Sequence, residues 1–275
     1  MYPILFEAKF FQIQSLWLFV SLGFLASMLF LIYLAKTHRL KLNFILNYGL
    51  KMALFSLLFA RLFYVISNYD AYFFDFSLGQ LKYVFFIWDQ GLSFWGAVLG
   101  FLIGLRRYCK LGEENLQEWL DVIIIAFFMG MTISSIGLFL DGANYGHESN
   151  LPWAVNFENI TVRYSVPVHP TQLYSALYNF ILLIVSWRLY VLQKFKDDGD
   201  LFLAGISAFS LFSFLEGFLR GDEVLIILGL RYSQYFELII GLISLFLLLD
   251  RYNKVDLKKI FKRITFLKKK QHGNT

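Results

Sequence analysis

The chain has 275 residues and a formal net charge of +5; 58% of its residues are apolar and 16% are charged. A soluble domain carries roughly 45–50% apolar and about 25% charged residues, so this composition excludes an ordinary soluble domain and points to a chain built for hydrocarbon. Its single cysteine, Cys109, excludes an internal disulfide and a cysteine metal cluster.

In chain order, the opening MYPILFEAKFFQIQ lacks the basic region and small-residue cleavage site of a secretion signal, so the first apolar run is expected to be retained. A bilayer-spanning helix needs about 20 mostly apolar residues. That rule predicts spans at 16–35, 45–66, 92–105, 120–140, 173–192, 201–219 and 235–249, of which the third and last are short and extend into their flanks. The stretch 72–88 is aromatic but broken by Asp75, Gly79, Gln80 and Lys82. It reads as an interfacial segment, because Trp and Tyr concentrate at the headgroup level.

Basic residues orient such a chain. Lys36, Arg39 and Lys41 follow the first span; Arg106, Arg107 and Lys110 follow the third; Lys194 and Lys196 follow the fifth; a lysine-rich run follows the last. With seven spans all four groups fall on the cytoplasmic side. The expected fold is therefore all-α: a polytopic seven-transmembrane-helix bundle with the N-terminus out and the C-terminus in. An external polar loop, 142–168, joins helices 4 and 5. Residues 1–250 form the membrane domain and 251–275 a basic cytoplasmic tail, which serves as a positive-inside anchor or lies on anionic lipid.

Polar groups cluster in 133–179, where Asp141, Asn144, His147, Glu148, Trp153, Arg163, His169, Gln172 and Tyr174 gather. Ionisable groups near membrane depth are costly and mark a site by default. Arg61, in FARLFYV, either snorkels to the interface or holds a lipid phosphate, because a guanidinium forks onto phosphate oxygens. Gly91, Gly96, Ala97 and Gly100 let a helix approach its neighbours closely; a glycine-lined start also leaves room for a ligand beside Trp95. His169-Pro170-Thr171-Gln172-Leu173-Tyr174 opens the fifth span, either as a capped helix start or as a site. Pro170 suits the first helical turn. Arg220 ends the sixth span on the outer side, where positive-inside statistics disfavour arginine.

These pieces resemble the prolipoprotein diacylglyceryl transferase family. The matching stretches are ARLFYV at 60–65, GLSFWG at 91–96, the spaced Gly137, Phe139 and Gly146, LPWAV at 151–155, HPTQLY at 169–174 and FLRGDE at 218–223. The resemblance implies a seven-helix bundle in the bacterial plasma membrane, with its active face near the outer leaflet. It implies transfer of diacylglyceryl from phosphatidylglycerol to the lipobox cysteine in the signal peptide of a preprolipoprotein. The thiol attacks a glycerol carbon and glycerol phosphate leaves. The implied partners are these two substrates and membrane lipid; no nucleic acid, metal or cofactor is implied. His169 and Arg220 become the catalytic candidates, His169 as the base among the matched motifs and Arg220 as the phosphate counter-charge. Arg61, Trp95, Asp141, Asn144, Gln172 and Tyr174 become substrate-binding candidates.

The family's central loop runs Gly-Arg-x-Gly-Asn-Phe-x-Asn-x-Glu-x-x-Gly. In this register the arginine is Ser135, the asparagine Leu138 and the glutamate Ala143; a position often held by histidine is Trp95. After HPTQLY the usual glutamate is Ser175, and three residues before Arg220 the usual glutamate is Gly217, with Glu216 beside it. Loss of charged site groups weakens transition-state stabilisation, so transfer is expected to be slow. The alternative reading is a catalytically degenerate relative that binds phospholipid or lipoprotein, or transfers to another acceptor. The charge pattern generates a topology test: with Cys109 replaced by alanine, a cysteine at Ser149 should react with an impermeant thiol reagent added outside intact cells. Labelling of a probe in the basic tail instead would reverse the assignment.

Overall fold

Apolar runs of bilayer length satisfy their backbone groups internally only as helices, and the chain folds that way. A computed structural model describes residues 3–8, 11–38, 40–69, 72, 91–157 and 166–252. Among them are seven helices: α1 (Ser15–Thr37), α2 (Leu42–Ser67), α3 (Phe94–Gly112), α4 (Leu116–Asp141), α5 (Thr171–Val191), α6 (Asp200–Gly217) and α7 (Tyr232–Arg251). The all-α expectation holds apart from two short antiparallel hairpins, β1 (Ile4–Ala8) with β2 (Phe11–Gln14), and β3 (Ile226–Ile227) with β4 (Leu230–Arg231). The expected interfacial segment at 72–88 lies outside the described residues except for Tyr72, as do Arg39, Arg163 and the tail from 253 onward.

Six of the helices are long and apolar enough to cross a membrane: α1, α2 and α4 to α7. The protein is thus polytopic by length and composition. The exception, α3, carries Arg106, Arg107 and Lys110 toward its end. Its uninterrupted apolar part, 94–105, reaches only about 18 Å at 1.5 Å per residue, short of a hydrocarbon core of about 30 Å.

The chain forms two compact units, one of Met1–Leu31 with Asp121–Thr275 and one of Ile32–Leu120. In the Ile32–Leu120 unit α2 packs along α3. A Cβ built on Gly96 would lie 2.5 Å from Phe59 O, and one on Gly100 would lie 2.6 Å from Phe55 O. The small-residue face therefore serves helix packing. Lys41 pairs with Glu114 at 2.9 Å, tying the start of α2 to the end of α3, and Phe44 packs on Trp119 nearby.

In the other unit α6 packs on both α5 and α7. The first amides of a helix have no partners within it. At α6 they are met from α4: Asp121 Oδ2 accepts from Gly199 N and Oδ1 from Phe202 N, each at 2.7 Å. Asp200, fully buried, pairs with Arg251 at the end of α7 at 2.9 Å. Facing sides of α5, α6 and α7 carry a buried polar seam. Ser175 bonds Glu216, Ser213 Oγ donates to Glu237 Oε1 at 2.9 Å, and Ser207 meets Ser244 at 2.7 Å. Gln234 Nε2 donates to Phe214 O at 3.0 Å.

Asp121→Ala would leave two buried amides without acceptors, a loss of about 2–4 kcal/mol. It should lower the thermal midpoint in detergent markedly, while Asp121→Asn, which retains one acceptor, should fall between; a midpoint unchanged in the alanine variant would contradict the cap.

Candidate functional site

The site is assembled where the chain leaves α4, enters α5 and leaves α6. After Asp141 the chain reverses through Gly142 and Asn144, both in the left-handed region at φ 82° and 59°. It then runs extended, and three segments lace together through isolated bridges pairing Gly146 with Arg220, Glu148 with Val168, and Val155 with Val168. Gly146 N donates to His169 O at 3.0 Å, His147 N to Leu219 O at 2.9 Å, His169 N to His147 O at 3.0 Å and Gly221 N to Tyr145 O at 2.9 Å. Gly146 is the crossing point: a Cβ there would lie 2.5 Å from His169 Cβ and 2.6 Å from His169 O. Beneath the lacing, Tyr145, Phe157 and Val168 form a buried apolar cluster with Phe139 and Val155.

The first turn of α5 clamps the reversed loop. Thr171 Oγ1 donates to Asn144 O at 2.5 Å, and Gln172 Nε2 to Ala143 O at 2.6 Å. Gln172 is 1% exposed, and its Oε1 is buried with no partner among the described residues. Pro170 at the N-cap supplies no side-chain cap. The polar side chains of this turn thus serve the neighbouring loop rather than their own helix. Asp141 is the last residue of α4 and is half-buried.

Held by this clamp, Asn144 turns its Oδ1 toward Arg220, whose Nη2 donates to it at 2.7 Å. Arg220 also forks onto Asp222, with Nε to Oδ1 and Nη2 to Oδ2 both at 2.9 Å. The same Oδ2 receives Arg231 Nη2 at 2.7 Å. Burial raises the Asp222 carboxyl, but the two guanidiniums outweigh it and hold the group below the usual carboxylate range. Burial likewise draws the Arg220 guanidinium down, and Asp222 more than restores it. At Arg231 burial prevails and the value is lowered.

Beside this cluster, Tyr174 Oη receives Trp153 Nε1–H at 2.8 Å and lies 3.2 Å from His169 Nδ1. Indole can only donate, so Tyr174 Oη accepts from Trp153; toward His169 it donates to Nδ1 when the imidazole proton is on Nε2 and accepts when that proton is on Nδ1. In the Ile32–Leu120 unit, Arg61 is 4% exposed although it sits within an apolar helix. Its Nη1 donates to Gly91 O at 3.0 Å and its Nη2 to Tyr72 Oη at 3.2 Å, with the Tyr64 and Tyr72 rings each 5.6 Å from Cζ. Trp95, on the second residue of α3, packs edge-on against Phe94. Among the described residues no group of three His, Cys, Asp or Glu side chains is arranged to hold a metal.

The structure brings Asn144, His169, Gln172, Tyr174 and Arg220 together in one unit. It adds Arg231, Gln234 and Glu237, which the motif reading passed over. For Gln234 and Glu237 the signal was spacing: with Gly241 and Ser244 they recur at three and four residues on one face of a mostly apolar helix.

The Asp222 pairing has a pH consequence. A carboxyl depressed in the folded state contributes stability that is complete above its unfolded value, about 4, and is lost as pH falls through the folded value. Between pH 5 and pH 3 the thermal midpoint of the protein should therefore fall more steeply than that of Asp222→Asn; parallel curves would show that the pair adds nothing.

Comparison with known proteins supports the same reading. The family model for prolipoprotein diacylglyceryl transferase matches residues 3–249. The chain is similar to the phosphatidylglycerol–prolipoprotein diacylglyceryl transferase of Dehalococcoides mccartyi, at 30% identity over 200 residues, 72% of this chain and 73% of the relative. It is similar to that of Clostridium tetani at 27% over 256 residues, 92% and 100% of the two chains, and to that of Clostridioides difficile at 28% over 254 residues, 90% and 96%. With a match that runs through every helix described above, the chain belongs to the prolipoprotein diacylglyceryl transferase family.

Proposed function

We propose that this protein transfers the diacylglyceryl group of phosphatidylglycerol to the lipobox cysteine of preprolipoproteins at the outer face of the bacterial plasma membrane. The observation that carries this is Arg220, a guanidinium held by Asn144 and Asp222 where the three laced segments meet, in a chain whose whole helical part matches the family. In the reaction the thiol gives its proton to the base, assigned to His169, its sulfur bonds to the glycerol methylene carbon, the carbon–oxygen bond to phosphate breaks, and glycerol phosphate leaves with the bonding pair. Negative charge grows on the departing phosphate, which is where a preorganised cation acts. Arg220 supplies that charge.

The proton-transfer role is assigned to His169, whose Nδ1 lies 3.2 Å from Tyr174 Oη. With Nδ1 protonated toward Tyr174 Oη, Nε2 accepts the thiol proton; with the proton on Nε2, it donates to a phosphate or glycerol oxygen. Asn144, Gln172, Tyr174 and Asp141 shape the headgroup pocket. Within the Ile32–Leu120 unit, Arg61 is assigned to substrate because a charged group buried in an apolar helix marks a ligand pathway by default, and Trp95 because it stands at the glycine-lined start of α3.

The seven-span arrangement, N-terminus out and C-terminus in, is part of this proposal. The 19 residues of α3 extend about 28 Å once the stems of Arg106, Arg107 and Lys110 snorkel to the interface. The membrane domain is taken as 1–250 and the remainder as a basic cytoplasmic tail.

Turnover is expected to be slow. Where the family places a loop arginine, this chain has Ser135, 1% exposed and with its hydroxyl turned back to Met131 O at 2.8 Å. The departing phosphate lacks that counter-charge. The test is complementation of a strain depleted of its own transferase, with transfer to a lipobox peptide measured on purified protein. Wild type should complement and turn over more slowly than a complete family member. Arg220→Ala should abolish transfer, and Arg220→Lys should recover only part of it, because lysine cannot fork onto two oxygens. Failure to complement with intact phosphatidylglycerol binding would identify a binding protein instead.

A further inference from the structure

The reaction above gives Arg231 no task, yet its side chain bonds the turn that carries Arg220. Its Nη1 donates to Arg220 O at 3.1 Å, and its Nη2 to Asp222 O at 3.2 Å and to Asp222 Oδ2 at 2.7 Å. Its backbone N is itself fixed by Gln234 Oε1 at 2.9 Å. The two arginines are unequal in access: the Arg220 side chain is 23% exposed and that of Arg231 8%. The front arginine meets solvent; the rear one holds the turn that carries it.

Resting on the transferase reading, we infer that Arg231 is a positioning residue that keeps Arg220 able to bind phosphate. An arginine forked onto a single carboxylate is a neutral pair and attracts an anion weakly. Here the carboxylate is shared, so Asp222 is divided between two guanidiniums and the three side chains carry a net formal charge of +1. Glu216 and Glu237 also face the arginines, from α6 and α7. Whatever their protonation, removing Arg231 lowers the local charge by one and leaves Asp222 wholly to Arg220. The anion then has to compete with an undivided carboxylate for the same guanidinium.

This differs from a merely structural role in one respect. If Arg231 acts by dividing Asp222, removing the charge of Asp222 at the same time should restore the balance of +1. If Arg231 only braces the turn, removing Asp222 as well should worsen the defect, since Arg220 then loses its fork too.

The experiment uses the full chain in lipid nanodiscs and measures binding of short-chain phosphatidylglycerol, with short-chain phosphatidylcholine as the control, alongside thermal midpoints. Arg231→Gln should weaken phosphatidylglycerol binding about tenfold, the scale of one charge-assisted contact. Arg231→Gln with Asp222→Asn should return to within about threefold of wild type by the same scale. Arg231→Lys, which keeps the charge with fewer donors, should stay nearer wild type than Arg231→Gln. Unchanged affinity in Arg231→Gln, or a double variant that binds no better than the single one, overturns the inference. Wild type that does not prefer phosphatidylglycerol to phosphatidylcholine overturns the underlying transferase reading instead. If Arg231→Gln does not fold, the comparison of Arg231→Lys with Arg231→Lys plus Asp222→Asn decides in the same way: the inference expects the added substitution to strengthen binding, and a weakened one overturns it.

Discussion

A backbone that leaves helical conformation at the edge of a bilayer must find partners for its amides inside the protein or lose several kcal/mol for each one left bare. In this chain that requirement falls on the segments that follow α4, precede α5 and follow α6. They meet it by bonding one another, His147 to Leu219 and His169, and Gly146 to His169. The chemistry depends on this solution. Asn144 reaches Arg220 because its loop is clamped by Thr171 and Gln172, and Arg220 reaches Asn144 because its turn is bridged to Gly146. A glycine is required at 146 because two chains cross there closer than a Cβ allows. The groups that would meet a phosphate are therefore by-products of closing backbone hydrogen bonds, and they inherit the rigidity of that closure.

The polar seam through α5, α6 and α7 follows the same economy at greater depth. Ser175, Ser213 and Gln234 each satisfy a neighbour across a helix interface. Small polar pairs of this kind act as association contacts between helices in an environment where apolar burial offers no driving force. The satisfaction is incomplete: Glu237 Oε2, Asn179 Oδ1 and Ser210 Oγ are buried with no partner among the described residues. The seam ends at Arg231 and Arg220, so the cations stand at the open end of a column of oxygen acceptors.

How much of this was legible beforehand varies with the physics that sets each feature. The helices were legible because span length is fixed by the bilayer; the predicted 45–66 became Leu42–Ser67 and 235–249 became Tyr232–Arg251. The β3–β4 hairpin carries no such signal. Its turn uses Leu228 and Gly229, both at positive φ, and leucine is a poor marker for a turn that asparagine usually fills. His169, Gln172, Tyr174 and Arg220 were legible as unusual polar groups beside apolar spans. Asp121 was not, because an aspartate near a helix start looks like surface charge until the amides of another helix are seen against it. Arg231 was missed for a related reason: its value lies in sharing Asp222, a relation that no single stretch of sequence displays.

The lacing also sets an order of events during synthesis. Asn144 and Arg220 are 76 residues apart in the chain, an interval of roughly 4–15 seconds of elongation. Once α5 is complete, the amide of His147 still lacks Leu219 O and the carbonyl of Tyr145 still lacks Gly221 N, both supplied only after α6. The reversed loop must stay wetted until α6 has emerged, which suits a segment that waits at an aqueous surface and not within the lipid. Half of this protein is therefore not half a site: the cluster around Arg220 closes only when the chain beyond α6 arrives.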